Sequence, residues 1–263
     1  MSEVVDVDAY LARIGLTDAP PINIDGLTLL QRAHLATVPF ENLDVVAGIE
    51  VRTDLEWSLD KVVNRRRGGW CFEVNGAFAA LLTALGFEVM HLAAAVLLSG
   101  PNKVVDHLAL EVMLDQAYLA DVGFGESFVH PLKLNERSAQ QDPAGVFELI
   151  DSSEGLTVTK HDDAGIPVPQ YRFRRIHHEL HEFEATSARL RSDESLMWSQ
   201  KPFATRIVDP SVEGNAERIT LKKDRLTRHG RGTPTDEPVD AELWHAVLAE
   251  HFSIDRAGKF SNP

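Results

Sequence analysis

The sequence predicts an α+β protein: helices first, then an antiparallel sheet or barrel. Three observations predict it. Up to Gly86, apolar residues recur at three- and four-residue spacing, as in Ala77, Leu81, Leu82 and Leu85. From Phe87 onward the period shortens into strand-length runs, separated by loops rich in Asp, Ser, Gly and Pro. A last amphipathic stretch then places Leu243, Trp244, Val247, Leu248 and Phe252 on one side. A run of helices followed by a run of strands reads as α+β.

The 263 residues are 44% hydrophobic and 25% charged, the balance of an ordinary soluble globular protein with ample core. A formal charge of −14 argues against nucleic acid as a partner. Residues 1–16 are acidic and lack the basic and apolar regions of a secretory signal. No apolar run approaches the roughly 20 residues of a membrane span, so no membrane partner is expected. One cysteine in the whole chain excludes an internal disulfide and suits a reducing, cytoplasmic setting.

Taken in order, Asp8 is read as the N-cap of a first helix whose Tyr10, Leu11 and Ile14 form an apolar stripe. Residues 18–26, with Pro20, Pro21 and Gly26, read as a loop. Residues 27–36 read as a helix with Leu27, Leu30, His34 and Leu35 on one side, ended by Pro39. Residues 58–66 form a third short helix. A fourth begins around Glu73 and stops at Gly86, a residue suited to the left-handed turn that ends helices. Strands are expected at 87–98, 105–114, 117–124, 145–150, 156–160 and 171–176. Residues 184–199 turn helical again, 218–226 hold one or two strands, 228–238 are a turn region, and Asp240 caps the last helix.

Cys71 stands where the glycine turn Gly68-Gly69 becomes the fourth helix. Backbone N–H groups are unpaired at a helix start, and the helix dipole presents its positive end there. Arg65, Arg66 and Arg67 precede it, and Gly68, Gly69, Glu73 and Asn75 are poor core material. Such surroundings can bring a thiol from about 8.5 down to roughly 3.5–7.5, making Cys71 a nucleophile rather than an inert core residue. A nucleophile needs a base. His107 begins one strand of the expected hairpin and Asp121 ends the other. A turn centred on Leu114 sets them directly opposite, one centred on Asp115 sets them diagonally on the same face, and a two-residue loop at Asp115-Gln116 separates them. If they meet, Asp121 orients the imidazole and His107 takes the thiol proton. His177, His178, Glu179 and His181 do not have the spacing of a metal site, so no metal is expected. Gly123-Phe124-Gly125 lacks the third glycine of a dinucleotide motif and reads as a tight turn beside the site.

Together these residues resemble the arylamine N-acetyltransferase family. The likeness rests on RGGWCFEVN around Cys71, VPFENLDV at 38–45, His107 at a strand start and LADVGFGES from Leu119, with further similarity in AYLARIGL, FATRIV and the closing helix. It covers nearly the whole chain. Val74, where bacterial members often carry histidine, is a departure outside the triad. The resemblance implies a cysteine-protease- or transglutaminase-like core in three parts: a helical bundle over residues 1–86, a β-barrel with an interdomain helical segment over 87–203, and an α/β lid over 204–263. It implies Cys71 as acetyl-accepting nucleophile, His107 as base, Asp121 as orienter, and Arg67–Glu41 as a buried structural ion pair. Acetyl coenzyme A would be the co-substrate and an arylamine or hydrazine the acceptor, in ping-pong order through an acetyl-cysteine. Phe40, Phe124 and Phe203 are the aromatic residues expected at the acceptor pocket. Gly123 and Gly125 would let coenzyme A approach closely, and the Phe72 backbone would serve the oxyanion. The alternatives are a macrolactam-closing amide synthase of the same family and a thiol hydrolase or transglutaminase-like enzyme. Turnover of acetyl coenzyme A with and without an arylamine separates them.

Overall fold

The computed structural model describes residues 5–193, 196–209, 216–230 and 234–255. Five helices lead: α1 (Val7–Arg13), α2 (Ile24–Thr37), α3 (Leu43–Val46), α4 (Leu55–Leu59) and α5 (Cys71–Ala84). Their starts differ from the sequence expectations for local reasons. The cap of α1 is Asp6, which accepts from Ala9 N at 2.9 Å, so Asp8 lies in the first turn. Asn23 caps α2 by accepting from Gly26 N at 3.0 Å, which draws residues 24–26 out of the expected loop. Glycine is needed there, because a Cβ on Gly26 would sit 1.9 Å from Pro21 O. Capped by Asp54, α4 starts at Leu55, three residues before the expected start, and a π-turn (Asp60–Asn64) then leads towards the glycine turn.

The helix α5 is apolar almost all round, and 11 of its 14 residues are buried, as befits a helix enclosed by other elements. Gly86 ends it at φ +98°. Val74, Ala77, Phe78, Leu81 and Leu82 pack on the buried faces of α1 and α2 and on Leu110 and Val112.

Eight strands follow: β2 (Glu88–Val96), β3 (His107–Met113), β4 (Ala117–Ala120), β5 (Leu132–Lys133), β6 (Gln140–Asp142), β7 (Gly145–Ser152), β8 (Gly155–His161) and β9 (Pro167–His178). They form one antiparallel sheet in the order β5-β4-β3-β2-β9-β8-β7-β6. The end strands β5 and β6 are joined by the Gln140 amide, which accepts from Lys133 N at 2.8 Å and donates to Lys133 O at 3.1 Å. The sheet is thereby nearly closed into a barrel. Leu92, Ala94, Ala109, Phe147, Leu149, Val158, Tyr171 and Phe173 fill its interior. Because β3 lies between that interior and α5, both of its faces are buried.

A second sheet runs β1-β10-β11-β12-β13, from β1 (Phe40–Glu41), β10 (Ala204–Asp209), β11 (Glu217–Leu221), β12 (Arg225–His229) and β13 (Thr235–Pro238). It takes its first strand from the N-terminal region, with Phe40 opposite Thr205 and Glu41 opposite Ala204. The expected turn region at 228–238 is instead largely strand: β12 runs to His229, and β13 pairs along it. Pro238 is tolerated because β13 is an edge strand. Two short helices, α6 (Glu184–Ser192) and α7 (Met197–Gln200), precede this sheet, and α8 (Trp244–Phe252) covers it. Asp240 does not cap α8. Leu243 takes that place and is 56% exposed rather than facing the core, because the chain turns between them with Leu243 N on Asp240 O. Trp244, Leu248 and Phe252 are buried as expected. Among the described residues no helix is long and apolar enough to cross a membrane.

Candidate active site

Cys71 is the first residue of α5 and only 6% exposed. Its N-cap residue Trp70 donates its backbone N–H to Glu73 Oε2 at 3.2 Å, which ties down the first turn. Opposite the thiol, the β3–β4 hairpin pairs Leu110 with Ala120 and Met113 with Ala117, the register centred on Asp115. His107 and Asp121 are therefore diagonal neighbours on one face, and His107 Nε2 lies 2.8 Å from Asp121 Oδ2. Both are buried, at 2% and 0% exposure. With Nε2 committed to the carboxylate, Nδ1 is the nitrogen left to interact with Cys71, whose Sγ lies 3.9 Å from Asp106 O. Burial alone would lower the basicity of His107, but the Asp121 charge, the Asp121 hydrogen bond and the contact with Cys71 together raise it from 6.5 to about 10. The net effect favours the protonated imidazole.

Asp121 is held by more than its histidine. Its Oδ1 accepts from Asn75 Nδ2 and from Gly123 N, each at 2.9 Å, and its backbone N–H donates to Gln31 Oε1 at 3.3 Å. Asn75 also donates to Leu108 O at 2.7 Å and accepts from Val122 N at 2.9 Å, so one amide joins α5 to both strands. The buried Tyr171 hydroxyl faces Asp121 without an aligned hydrogen bond, and its ring stands 4.9 Å from that of His107. The sequence reading did not single out Asn75 or Gln31 for this role. Their signals were present: Asn75 is one turn beyond Cys71 on the same helix face, and Gln31 is a polar residue set within the apolar stripe of α2.

Two expectations about the neighbourhood are corrected. Glu73 and Asn75 are core residues, 1% and 0% exposed, because each has partners for its polar atoms. The arginine run does not face the thiol. Arg65 pairs with Asp60 at 2.9 Å, and Arg67 makes the expected pair with Glu41 at 2.7 Å and a further one with Asp44 at 3.1 Å. Lys61 extends that buried cluster, 2.8 Å from both Asp44 and Glu73. Burial pushes the Glu73 carboxyl up against the pull of Lys61, while the carboxylates around Lys61 outweigh burial and raise its ammonium. The positive charge at Cys71 comes from His107 and the helix start, not from the arginines.

The cleft beside Cys71 has a volume of ≈ 60 Å³ and is lined by Phe40, Phe124 and Phe203 together with Trp70, Trp198 and Gly123. Gly123 is there because a Cβ would fall 2.8 Å from Cys71 Cα. Gly125 is required for a different reason, its φ of +74° beside the Phe40 ring. A larger cleft of ≈ 1030 Å³ opens behind α5 at Gly76, Ala79 and Ala80, away from the thiol. Among the described residues there is no cluster of three or more His, Cys, Asp or Glu side chains fit to hold a metal.

The profile of the N-acetyltransferase family matches residues 23–260. Over 253 residues the chain is 30% identical to an arylamine N-acetyltransferase of Escherichia coli (strain K12), covering 93% of this chain and 87% of that one. The chain belongs to the arylamine N-acetyltransferase family. The resemblance read from the sequence is borne out, and membership makes the protein an acyltransferase. A Salmonella typhimurium arylamine N-acetyltransferase structure superposes with a TM-score of 0.89 at 26% identity, covering 97% of this chain and 94% of the other. The Mycobacterium marinum arylamine N-acetyltransferase in complex with CoA gives 0.86 at 28%, covering 95% and 93%. The expected α+β architecture with a helical start and a barrel is that of these arylamine N-acetyltransferases.

Proposed function

We propose that the protein transfers acetyl groups from acetyl coenzyme A to arylamines or aryl hydrazines, in ping-pong order, through an acetyl-Cys71 intermediate. The observation that carries this reading is the buried Asp121–His107 pair, 2.8 Å apart, with its imidazole electrostatically linked to Cys71 at the start of α5. A cationic imidazole hydrogen-bonded to a thiol is the arrangement that presents sulfur as thiolate. The Cys71 thiolate attacks the thioester carbonyl and the bond to the coenzyme A sulfur breaks. His107 Nδ1–H gives its proton to the departing thiolate. The acceptor nitrogen then attacks the acetyl carbonyl, the bond to Sγ breaks, and His107 takes the nitrogen's proton. The pair returns to thiolate and imidazolium with no net proton change on the enzyme.

Asp121 fixes the imidazole tautomer throughout, and Arg67–Glu41 anchors the glycine turn to β1. Phe72 N, in the first turn of α5, has no carbonyl one turn back and is assigned to the oxyanion. Phe40, Phe124 and Phe203 supply the apolar contacts for the acceptor ring. Gly123 and Gly125 leave room for the thioester end of coenzyme A. Initial rates measured over a grid of acetyl coenzyme A and hydralazine concentrations test the reading. Parallel double-reciprocal lines are expected. Intersecting lines, or coenzyme A release unaffected by the amine, contradict it.

A further inference from the structure

At ≈ 60 Å³ the cavity beside Cys71 is far below the roughly 300–1,000 Å³ of sites that enclose drug-sized ligands, so its walls decide which acceptor enters. One wall is aromatic. The rings of Phe40 and Phe203 lie 5.3 Å apart, and Trp198 meets Phe203 edge-on at 5.7 Å. Trp198 and Phe203 come from the short connection between α6 and β10, whose regular structure among the described residues is the single turn of α7.

Ser199 Oγ bonds locally to Asp193 O and Leu196 O, and one side chain from the N-terminal region ties the connection to the rest of the protein. Asn42 Nδ2 donates to Trp198 O at 2.6 Å and to Lys201 O at 2.8 Å. Asn42 Oδ1 accepts from Phe203 N at 2.9 Å, and its backbone N–H donates to Phe203 O at 3.4 Å. Asn42 is 2% exposed, and the neighbouring Glu41 is itself locked by Arg67 and by Leu43 N at 2.7 Å. Both amide hydrogens and the carbonyl are used, so only a carboxamide of this length satisfies all three partners.

We infer that Asn42 is a specificity-determining positioning residue, setting the aromatic wall that recognises the ring of the acceptor. The inference rests on the acetyl-transfer reading. The wall presents ring faces and edges and no charge, so it rewards an arylamine and gives nothing to a ringless nucleophile such as hydrazine. Holding two large side chains in place before binding is worth about tenfold in affinity.

Asn42→Ala and Asn42→Asp test this. The second keeps an acceptor for Phe203 N but loses both donors. Acetyl-enzyme is formed with acetyl coenzyme A, and its discharge by p-anisidine is compared with its discharge by hydrazine. In both variants the p-anisidine to hydrazine ratio of kcat/KM is expected to fall about tenfold, through KM for p-anisidine. Trp198→Ala should give a similar fall that Asn42→Ala does not deepen, because both changes act on one wall. Equal losses for the two acceptors, or acetylation of Cys71 slowed as much as arylamine discharge, overturn the assignment. So does failure of both Asn42 variants to fold, which marks the residue as structural. If the unaltered protein forms no acetyl-enzyme, the transfer reading fails first and takes this one with it.

Discussion

Replacing Asp121 with asparagine probes the electrostatics of the site with almost no change of shape. The Asp121 Oδ1 contacts with Asn75 Nδ2 and Gly123 N can persist to an amide carbonyl. The amide nitrogen then occupies the Oδ2 position, 2.8 Å from His107 Nε2, where two donors would face each other. His107 must turn Nε2 into an acceptor, which moves its proton to Nδ1, the nitrogen facing Cys71. A neutral imidazole of that tautomer cannot take a proton from sulfur or from the acceptor amine. The Asp121 charge that offsets burial is also gone, so the raised basicity of His107, about 10 in the parent, collapses. By comparison with the equivalent change in a serine triad, kcat should fall by on the order of 10³–10⁴. The assay is the rate of Cys71 alkylation by iodoacetamide across pH 5–10, with acetyl-enzyme formation measured in parallel. The parent should react at a nearly constant rate over neutral pH, whereas Asp121→Asn should become reactive only in alkali. Matching profiles, with acetylation within about threefold, would refute the proposed relay.

Three further outcomes follow from the same geometry. Lys61→Met leaves Asp44 and Glu73 buried without their shared cation and should cost about 3–5 kcal/mol in urea unfolding. A loss under about 1 kcal/mol would show that the cluster does not depend on Lys61. Gly123→Ala forces a Cβ to within 2.8 Å of Cys71 Cα and 2.9 Å of Asn75 Nδ2, so kcat/KM should drop on the order of 10²-fold through displacement of the nucleophile. Unchanged turnover would place that turn elsewhere. The raised basicity of His107 contributes stability that is complete below its ordinary 6.5 and is lost as pH climbs through about 10. Urea unfolding at pH 6, 8 and 10 should therefore show the parent's advantage over His107→Gln shrinking with pH, and a growing advantage contradicts the sign.

Much of the frame was legible because its signals are local. Period and Gly86 place α5, whose start falls at Cys71, two residues before the expected one, and the Asp115-centred register was among the three that the hairpin allowed. Element ends were less legible where the deciding contact lies outside the element. Gly26 reads as a loop residue until Pro21 O is seen to occupy the place of its Cβ. Residues 235–238 read as a turn because their strand exists only by pairing with β12. At the site, Cys71, His107 and Asp121 could be brought together from spacing and likeness. The Arg67–Glu41 pair could be read from likeness as well, but its extension to Asp44 and Lys61 could not, because a run of three arginines carries no record of which further carboxylate each will meet. Asn42 was hidden for the same reason, its partners Trp198, Lys201 and Phe203 lying more than 150 residues away in sequence.

The central claim is that acetyl groups pass through one sulfur, and intact-protein mass tests it most directly. Mixing with acetyl coenzyme A should add a single acetyl group to the parent and none to Cys71→Ala. Adding hydralazine should then remove it with formation of the N-acetyl product. An adduct that persists in Cys71→Ala, or product formed without any acetyl-enzyme, would contradict the account.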